Sequence, residues 1–172
     1  GTGGRLKCPR NEISIGLAGT TMRFLTTFAA LAPGTTYLTG ERQMLQRPIS
    51  DLLGALNQMG VNARSKKNNG CPPLEIPGGG IPGGYVDLVG DNSSQYLTSI
   101  LLSAPYFKND TIINVIGNLT SKSYADITLD IMRDFGITVE NESYNRFFIK
   151  AAQTYCATNY TIESDWSSAS YF

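Results

Sequence analysis

The chain has 172 residues, of which 41% are hydrophobic and 16% charged, a composition that places it among globular proteins able to bury one ordinary core. Fourteen Lys and Arg balance fourteen Asp and Glu, so no overall field recruits nucleic acid or an anionic membrane surface, and any anion must be held locally. Three cysteines, Cys8, Cys71 and Cys156, form no CxxC pair and no histidine is present to complete a zinc set, which points to a reducing compartment and no metal.

In chain order, Asn11 to Gly16 reads as a short strand entering the corner Ala18-Gly19-Thr20. A helix follows from Thr21 to about Leu31, apolar nearly all round, which predicts an inner position. Pro33-Gly34 ends it, and Thr35 to Thr39 is β-prone. The polar loop Glu41 to Gln46 delivers Arg47-Pro48, with Pro48 suited to a first helical turn. Ile49, Leu52, Leu53, Leu56 and Met59 then keep helical spacing, predicting an amphipathic surface helix. Strands are expected at Val61 to Arg64 and at Pro73 to Ile76. The glycine-rich run Pro77 to Gly84 reads as a linker; as a phosphate loop it lacks the Lys-Ser/Thr that should follow.

A second pass of the same order begins at Tyr85. The strand Tyr85 to Val89 leads through Gly90 to Asp91-Asn92-Ser93-Ser94-Gln95 and an apolar helix from Ser93 to Ala104. Asn92 or Ser93 makes a good cap. The same small residues, leaving backbone N–H groups free at the positive end of the helix dipole, also suit a phosphate or carboxylate. A strand is expected at Thr111 to Ile116, an amphipathic helix from Tyr124 to Phe135 with Tyr124, Ile127, Ile131, Met132 and Phe135 on one face, and strands at Ile137 to Glu140 and Arg146 to Lys150. A third pass opens with a strand from Tyr160 to Glu163 and a helix near Trp166-Ser167-Ser168.

Repetition gives the pattern its meaning. The helix openings at Thr20, Ser93 and Ser167 stand 73 and 74 residues apart, and Arg47-Pro48-Ile49-Ser50-Asp51 parallels Ser123-Tyr124-Ala125-Asp126-Ile127 at an offset of 76. A βαβαββ unit used several times would bring its inner-helix starts to one face, and make a polyanion site plausible without a basic excess. Five Asn-x-Ser/Thr matches, at Asn92, Asn109, Asn118, Asn141 and Asn159, have no signal peptide or long apolar span beside them and read as coincidence. The start without Met and the stop at Tyr171-Phe172, inside an expected helix, suggest a piece of something longer.

Five segments in series carry a resemblance: Ala18-Gly19-Thr20-Thr21-Met22-Arg23, Gln46-Arg47-Pro48-Ile49, Gly90-Asp91-Asn92-Ser93-Ser94-Gln95-Tyr96-Leu97, Ser121-Lys122-Ser123-Tyr124-Ala125-Asp126-Ile127-Thr128-Leu129 and Glu163-Ser164-Asp165-Trp166-Ser167-Ser168-Ala169-Ser170-Tyr171-Phe172. Together they resemble the 5-enolpyruvylshikimate-3-phosphate synthases, over nearly the whole chain. That resemblance implies an α/β (α+β) fold of repeated βαβαββ units with buried inner helices, one lobe of the enolpyruvyl transferase inside-out α/β barrel. Residues 1–172 would form a single lobe, with a partial first unit over about 1–80, a complete one over about 84–150 and the start of a third over about 158–172, the second lobe being absent.

The implied activity transfers the enolpyruvyl group of phosphoenolpyruvate to the 5-hydroxyl of shikimate 3-phosphate, in the shikimate pathway to chorismate, with no cofactor, in the cytoplasm. By the same resemblance Ser93, Ser94, Gln95, Ser121 and Tyr124 hold shikimate 3-phosphate, and Gly19, Arg47 and Gln95 hold phosphoenolpyruvate. The competing readings are a solvated loop arginine for Arg47 and core packing for Tyr124. Glu163 and Asp165 are carboxylates by type, but their place in the family suggests a lobe-crossing or capping role. Leu17, Gln43 and Ser123 depart from residues usual in the family. The family's proton-transfer groups, on the other lobe, lie outside these residues, so no catalytic residue is assigned and the chain alone is expected to be inactive. The alternatives are a fragment of the sister enzyme acting on UDP-N-acetylglucosamine, or a non-catalytic anion-binding module of the same fold.

Overall fold

A computed structural model describes residues 6–162. Two sheets of four strands are each built from one βαβαββ pass. The first contains β1 (Ile13–Ser14), α1 (Gly19–Ala29), β2 (Thr35–Thr39), α2 (Ser50–Gln58), β3 (Arg64–Ser65) and β4 (Leu74–Pro77). The second contains β5 (Gly84–Val89), α3 (Ser94–Ser103), β6 (Thr111–Ile116), α4 (Lys122–Asp134), β7 (Val139–Glu142) and β8 (Arg146–Ile149). Strand orders are β1-β2-β4-β3 and β5-β6-β8-β7, so the passes repeat in topology as well as in sequence. In each, the first two strands are parallel, as a helical crossover requires, and the rest pair antiparallel. Tyr85 lies opposite Ile112, and Ile112 opposite Phe148.

The inner helices pack against each other in parallel, with Gln95 beside Thr20 and Arg23, and Ser99 beside Thr27. Their seam is polar. Ser99 donates to the Arg23 carbonyl (2.7 Å), which leaves Thr27 as the donor to Ser99 Oγ (2.6 Å). Leu97, Ile100 and Leu101 of α3 are fully buried. Helix α1 is covered on one side only, through Met22, Thr26, Thr27 and Ala29. Phe28 is exposed, lining a shallow depression with Leu6, Lys7, Pro9 and Ile13.

Several local readings change. Pro48 lies ahead of the helix, since Ile49 is the N-cap of α2. The buried face of α4 is Ala125, Thr128 and Met132, facing α3 through a Thr98–Thr128 hydrogen bond (2.9 Å), while Tyr124 and Ile127 are more than half exposed. Of the apolar row read from the sequence, Met132 is buried as expected but Tyr124 and Ile127 are turned away from the packed face, where small and hydroxyl side chains allow close approach. The glycine run links the two units as expected and is also bonded in place. Gly78, Gly79 and Gly80 donate their N–H groups to the carbonyls of Gly34, Ala32 and Ala30, closing the end of α1. Tyr160 to Ile162 form no strand, and Glu163, Asp165 and Ser167 lie outside the described residues.

Candidate functional site

The starts of α1 and α3 lie together at one end of the inner layer, and the loop before α4 is tied to the loop before α3. Helix α1 opens without a side-chain cap, its N-cap being Ala18, so its first N–H groups have no side-chain acceptor. Helix α3 is capped by Ser93, whose Oγ accepts from the Gln95 N–H (3.3 Å). Capping, one of the two sequence readings of this corner, is thus realised at Ser93. Asn92 instead donates to Asp51 Oδ2 at the start of α2 (2.6 Å). Helix α4 opens at Ser121, which adopts a left-handed backbone (φ 54°) and makes no side-chain cap bond.

Between these starts lies a polar cluster. Gln95 accepts from Arg23 Nη1 through Oε1 and donates through Nε2 to Thr20 Oγ1 (3.1 Å), joining α3 to α1. Gly19, Arg23, Arg47, Pro48 and Ile49 line a small depression beside it. Arg47 Nη1 lies 2.7 Å from where a Cβ on Gly19 would stand, so the missing side chain is what admits the guanidinium. The Tyr96 hydroxyl donates to the Pro48 carbonyl (2.9 Å), and the Arg23 guanidinium lies 5.4 Å from the Tyr96 ring centroid. Burial raises the Tyr96 pKa above its ordinary 10.0, and the Arg23 charge partly opposes the rise.

The loop before α4 is tied to the loop before α3. Thr120 N–H and Oγ1 both donate to the Gly90 carbonyl (3.1 and 3.2 Å), and the Asn118 N–H donates to Asp91 Oδ1 (3.1 Å). These ties join the residue before Ser121 to the loop that leads into Ser93 and Ser94. Among the described residues, the Ser94 and Ser121 hydroxyls have no protein partner. Of the expected residues, Arg47 adjoins Gly19, Gln95 bonds to Thr20 beside Gly19 and follows Ser93 and Ser94, Ser121 follows the tied Thr120, and Tyr124, one turn into α4, is exposed. Arg47 is also exposed, in the loop ahead of α2, with its Nη1 close to Gly19. Sequence reasoning passed over Arg23 and Thr20 as site residues. A lone arginine on an otherwise apolar helix, four residues after Gly19 and so on the same face, was the available signal.

Two guanidinium groups, free hydroxyls and uncapped helix starts make a collar of donors suited to phosphate and carboxylate groups. No group of three or more metal-ligating side chains occurs among the described residues, and no described helix is long and apolar enough to cross a membrane.

Repeated βαβαββ units packed through inner helices, with anion-binding donors gathered where those helices begin, define the class as the enolpyruvyl transferase fold. A solved EPSP synthase from Acinetobacter baumannii shares it, with a TM-score of 0.80 and 26% identity over 95% of this chain and 36% of that one. The chain belongs to the EPSP synthase (3-phosphoshikimate 1-carboxyvinyltransferase) family, whose model matches residues 1–172. It is 49% identical to the 3-phosphoshikimate 1-carboxyvinyltransferase of Haemophilus influenzae (strain PittEE), over all of this chain and 41% of that protein. It is 48% identical to that of Sulfurovum sp. (strain NBC37-1), over 94% of this chain and 38% of the other. The chain thus spans about two fifths of the length of the curated relatives it matches.

Proposed function

We propose that this chain supplies one side of a site that transfers the enolpyruvyl group of phosphoenolpyruvate to the 5-hydroxyl of shikimate 3-phosphate. The observation that carries the reading is the Arg23–Gln95–Thr20 junction, which joins the starts of α1 and α3 beside Gly19 and Arg47. Ser94 and Ser121, with hydroxyls free to donate, and Ser93 at the helix start take the phosphate of shikimate 3-phosphate, with Tyr124 at the rim. Arg47 takes phosphoenolpyruvate against the open backbone at Gly19, and Gln95 stands between the two. The described cluster offers donors and cations but no acid aimed into it. Asp51 and Asp91 are already bonded to Asn92 and the Asn118 N–H. Proton transfer to the methylene carbon needs such an acid, so the described cluster accounts for ligand binding and not for turnover.

Titration of the chain by NMR tests the reading. Shikimate 3-phosphate binds with millimolar affinity, about −4 kcal/mol, because nothing closes over its far side. Shikimate without the phosphate shifts fewer resonances. Ser94→Ala/Ser121→Ala leaves stability unchanged, since neither hydroxyl bonds to described protein atoms, yet weakens the phosphorylated ligand about tenfold. Equal binding of both ligands, or indifference to that double change, refutes the assignment.

A further inference from the structure

The Tyr96 hydroxyl has no evident task in packing. Its side chain is 4% exposed, and phenylalanine would fill the same space without a buried polar group to satisfy. The hydroxyl reaches the carbonyl of Pro48, immediately after Arg47. Pro48 confines Arg47 to extended backbone (φ −85°, ψ 120°) and removes a donor from the segment. The segment is held by three ties: Arg47 N–H to the Met44 carbonyl (3.1 Å), Ile49 N–H to the Gly70 carbonyl (2.8 Å), and Tyr96 to Pro48. The first two bind it within its own unit. The third binds it to α3, one residue beyond Gln95, while the ring of Tyr96 lies against Arg23, the partner of Gln95.

We infer that Tyr96 is a positioning residue: its hydroxyl, donated to the Pro48 carbonyl, fixes the segment that carries Arg47 over Gly19, and so couples the anion site at the start of α1 to the one at the start of α3. The inference rests on the proposed role of Arg47 in holding phosphoenolpyruvate. It makes the second anion site depend on α3 as well as on the arginine itself. It also predicts an effect confined to one ligand, which a general loosening of the fold would not produce.

The experiment is NMR titration of the full 172-residue chain with shikimate 3-phosphate, and with phosphoenolpyruvate at saturating shikimate 3-phosphate. Tyr96→Phe keeps the ring and removes only the hydroxyl. It weakens phosphoenolpyruvate about five- to tenfold, while shikimate 3-phosphate stays within about twofold. Arg47→Ala weakens phosphoenolpyruvate further, and Tyr96→Phe added to Arg47→Ala changes nothing more, because the two act through one group. Equal weakening of both ligands by Tyr96→Phe, no weakening of phosphoenolpyruvate, or an additive loss in the Arg47→Ala background overturns the inference. Unchanged phosphoenolpyruvate binding in Arg47→Ala would instead overturn the role of Arg47, and this inference with it.

Discussion

At the scale of single residues, Gly19 separates stability from binding. It is the first residue of α1, where alanine improves on glycine by less than the about 1 kcal/mol of a helix interior. Yet a Cβ there stands 2.7 Å from Arg47 Nη1, the mobile end of a long side chain. Gly19→Ala is therefore expected to melt at or slightly above the wild-type temperature while losing most phosphoenolpyruvate binding; calorimetry and ligand titration on one sample check both. Tyr155 gives a pH signature. Burial, with a smaller contribution from Tyr106, pushes its pKa far above 10.0, and its hydroxyl donates to the Leu102 carbonyl (3.0 Å). The unfolded chain releases this proton near pH 10 and the folded chain does not, so its contribution is intact below pH 10 and declines as pH rises past it. Urea midpoints should fall between pH 8 and pH 11, and fall less in Tyr155→Phe. Ser93, Ser94, Gln95, Ser121 and Arg47 were singled out through the family resemblance, which short motifs carry residue by residue. Arg23 and Tyr96 were not, because their meaning lies in partners about 70 and 50 residues distant in sequence, which no local pattern records.

Elements were legible where a strong period ran between clear stops. Strand β2 occupies the expected Thr35–Thr39, and β6 the expected Thr111–Ile116. The second-unit hairpin strands shifted by one or two residues, since turns rather than propensity fix their ends. The face of α4 was read correctly at Met132 but not at Tyr124 and Ile127, because apolar size was taken for burial, whereas Ala125 and Thr128 are buried and Thr128 bonds to Thr98 of α3. The glycine run joins the two units as read, but its bonds to the end of α1 were missed for lack of a partner in view. Its function as the closure of α1 makes a sharp prediction. A Cβ on Gly78 would lie 1.9 Å from the Ala32 carbonyl oxygen, so Gly78→Ala should destabilise by at least about 2 kcal/mol. Gly54, exposed in α2 with nothing within 4 Å of its added Cβ, is the control. Gly54→Ala should stabilise by about 0.5 to 1 kcal/mol. Thermal melts moving in opposite directions support both assignments; a Gly78→Ala melt that matches wild type removes the capping role.

At the scale of the molecule, two sheets do not imply two independently stable units. The seam between α1 and α3 is hydroxylic: Thr27, Ser99 and the Arg23 carbonyl satisfy one another, and each is costly once its partner is lost. The Gln58 side chain adds a second link. Its Oε1 accepts from the Asp87 N–H (2.9 Å) and its Nε2 donates to the Asp87 carbonyl (3.0 Å), so the end of α2 pairs with β5 as a short strand would. Neither sheet can open without leaving buried polar groups of the other unit unpaired, and the two should unfold as one cooperative body. Hydrogen exchange gives the measurement. Amides of β2 in the first unit and β6 in the second should report the same opening free energy, and Ser99→Ala should lower both by an equal amount, about 1 to 3 kcal/mol. If Ser99→Ala exposes β2 while β6 keeps its protection, the units are separately stable and the seam is only a contact between them. Equal loss would mean that the junction of Arg23 with Gln95 is held rigid by the stability of the whole body, which is what a site made from the starts of two helices in different units requires.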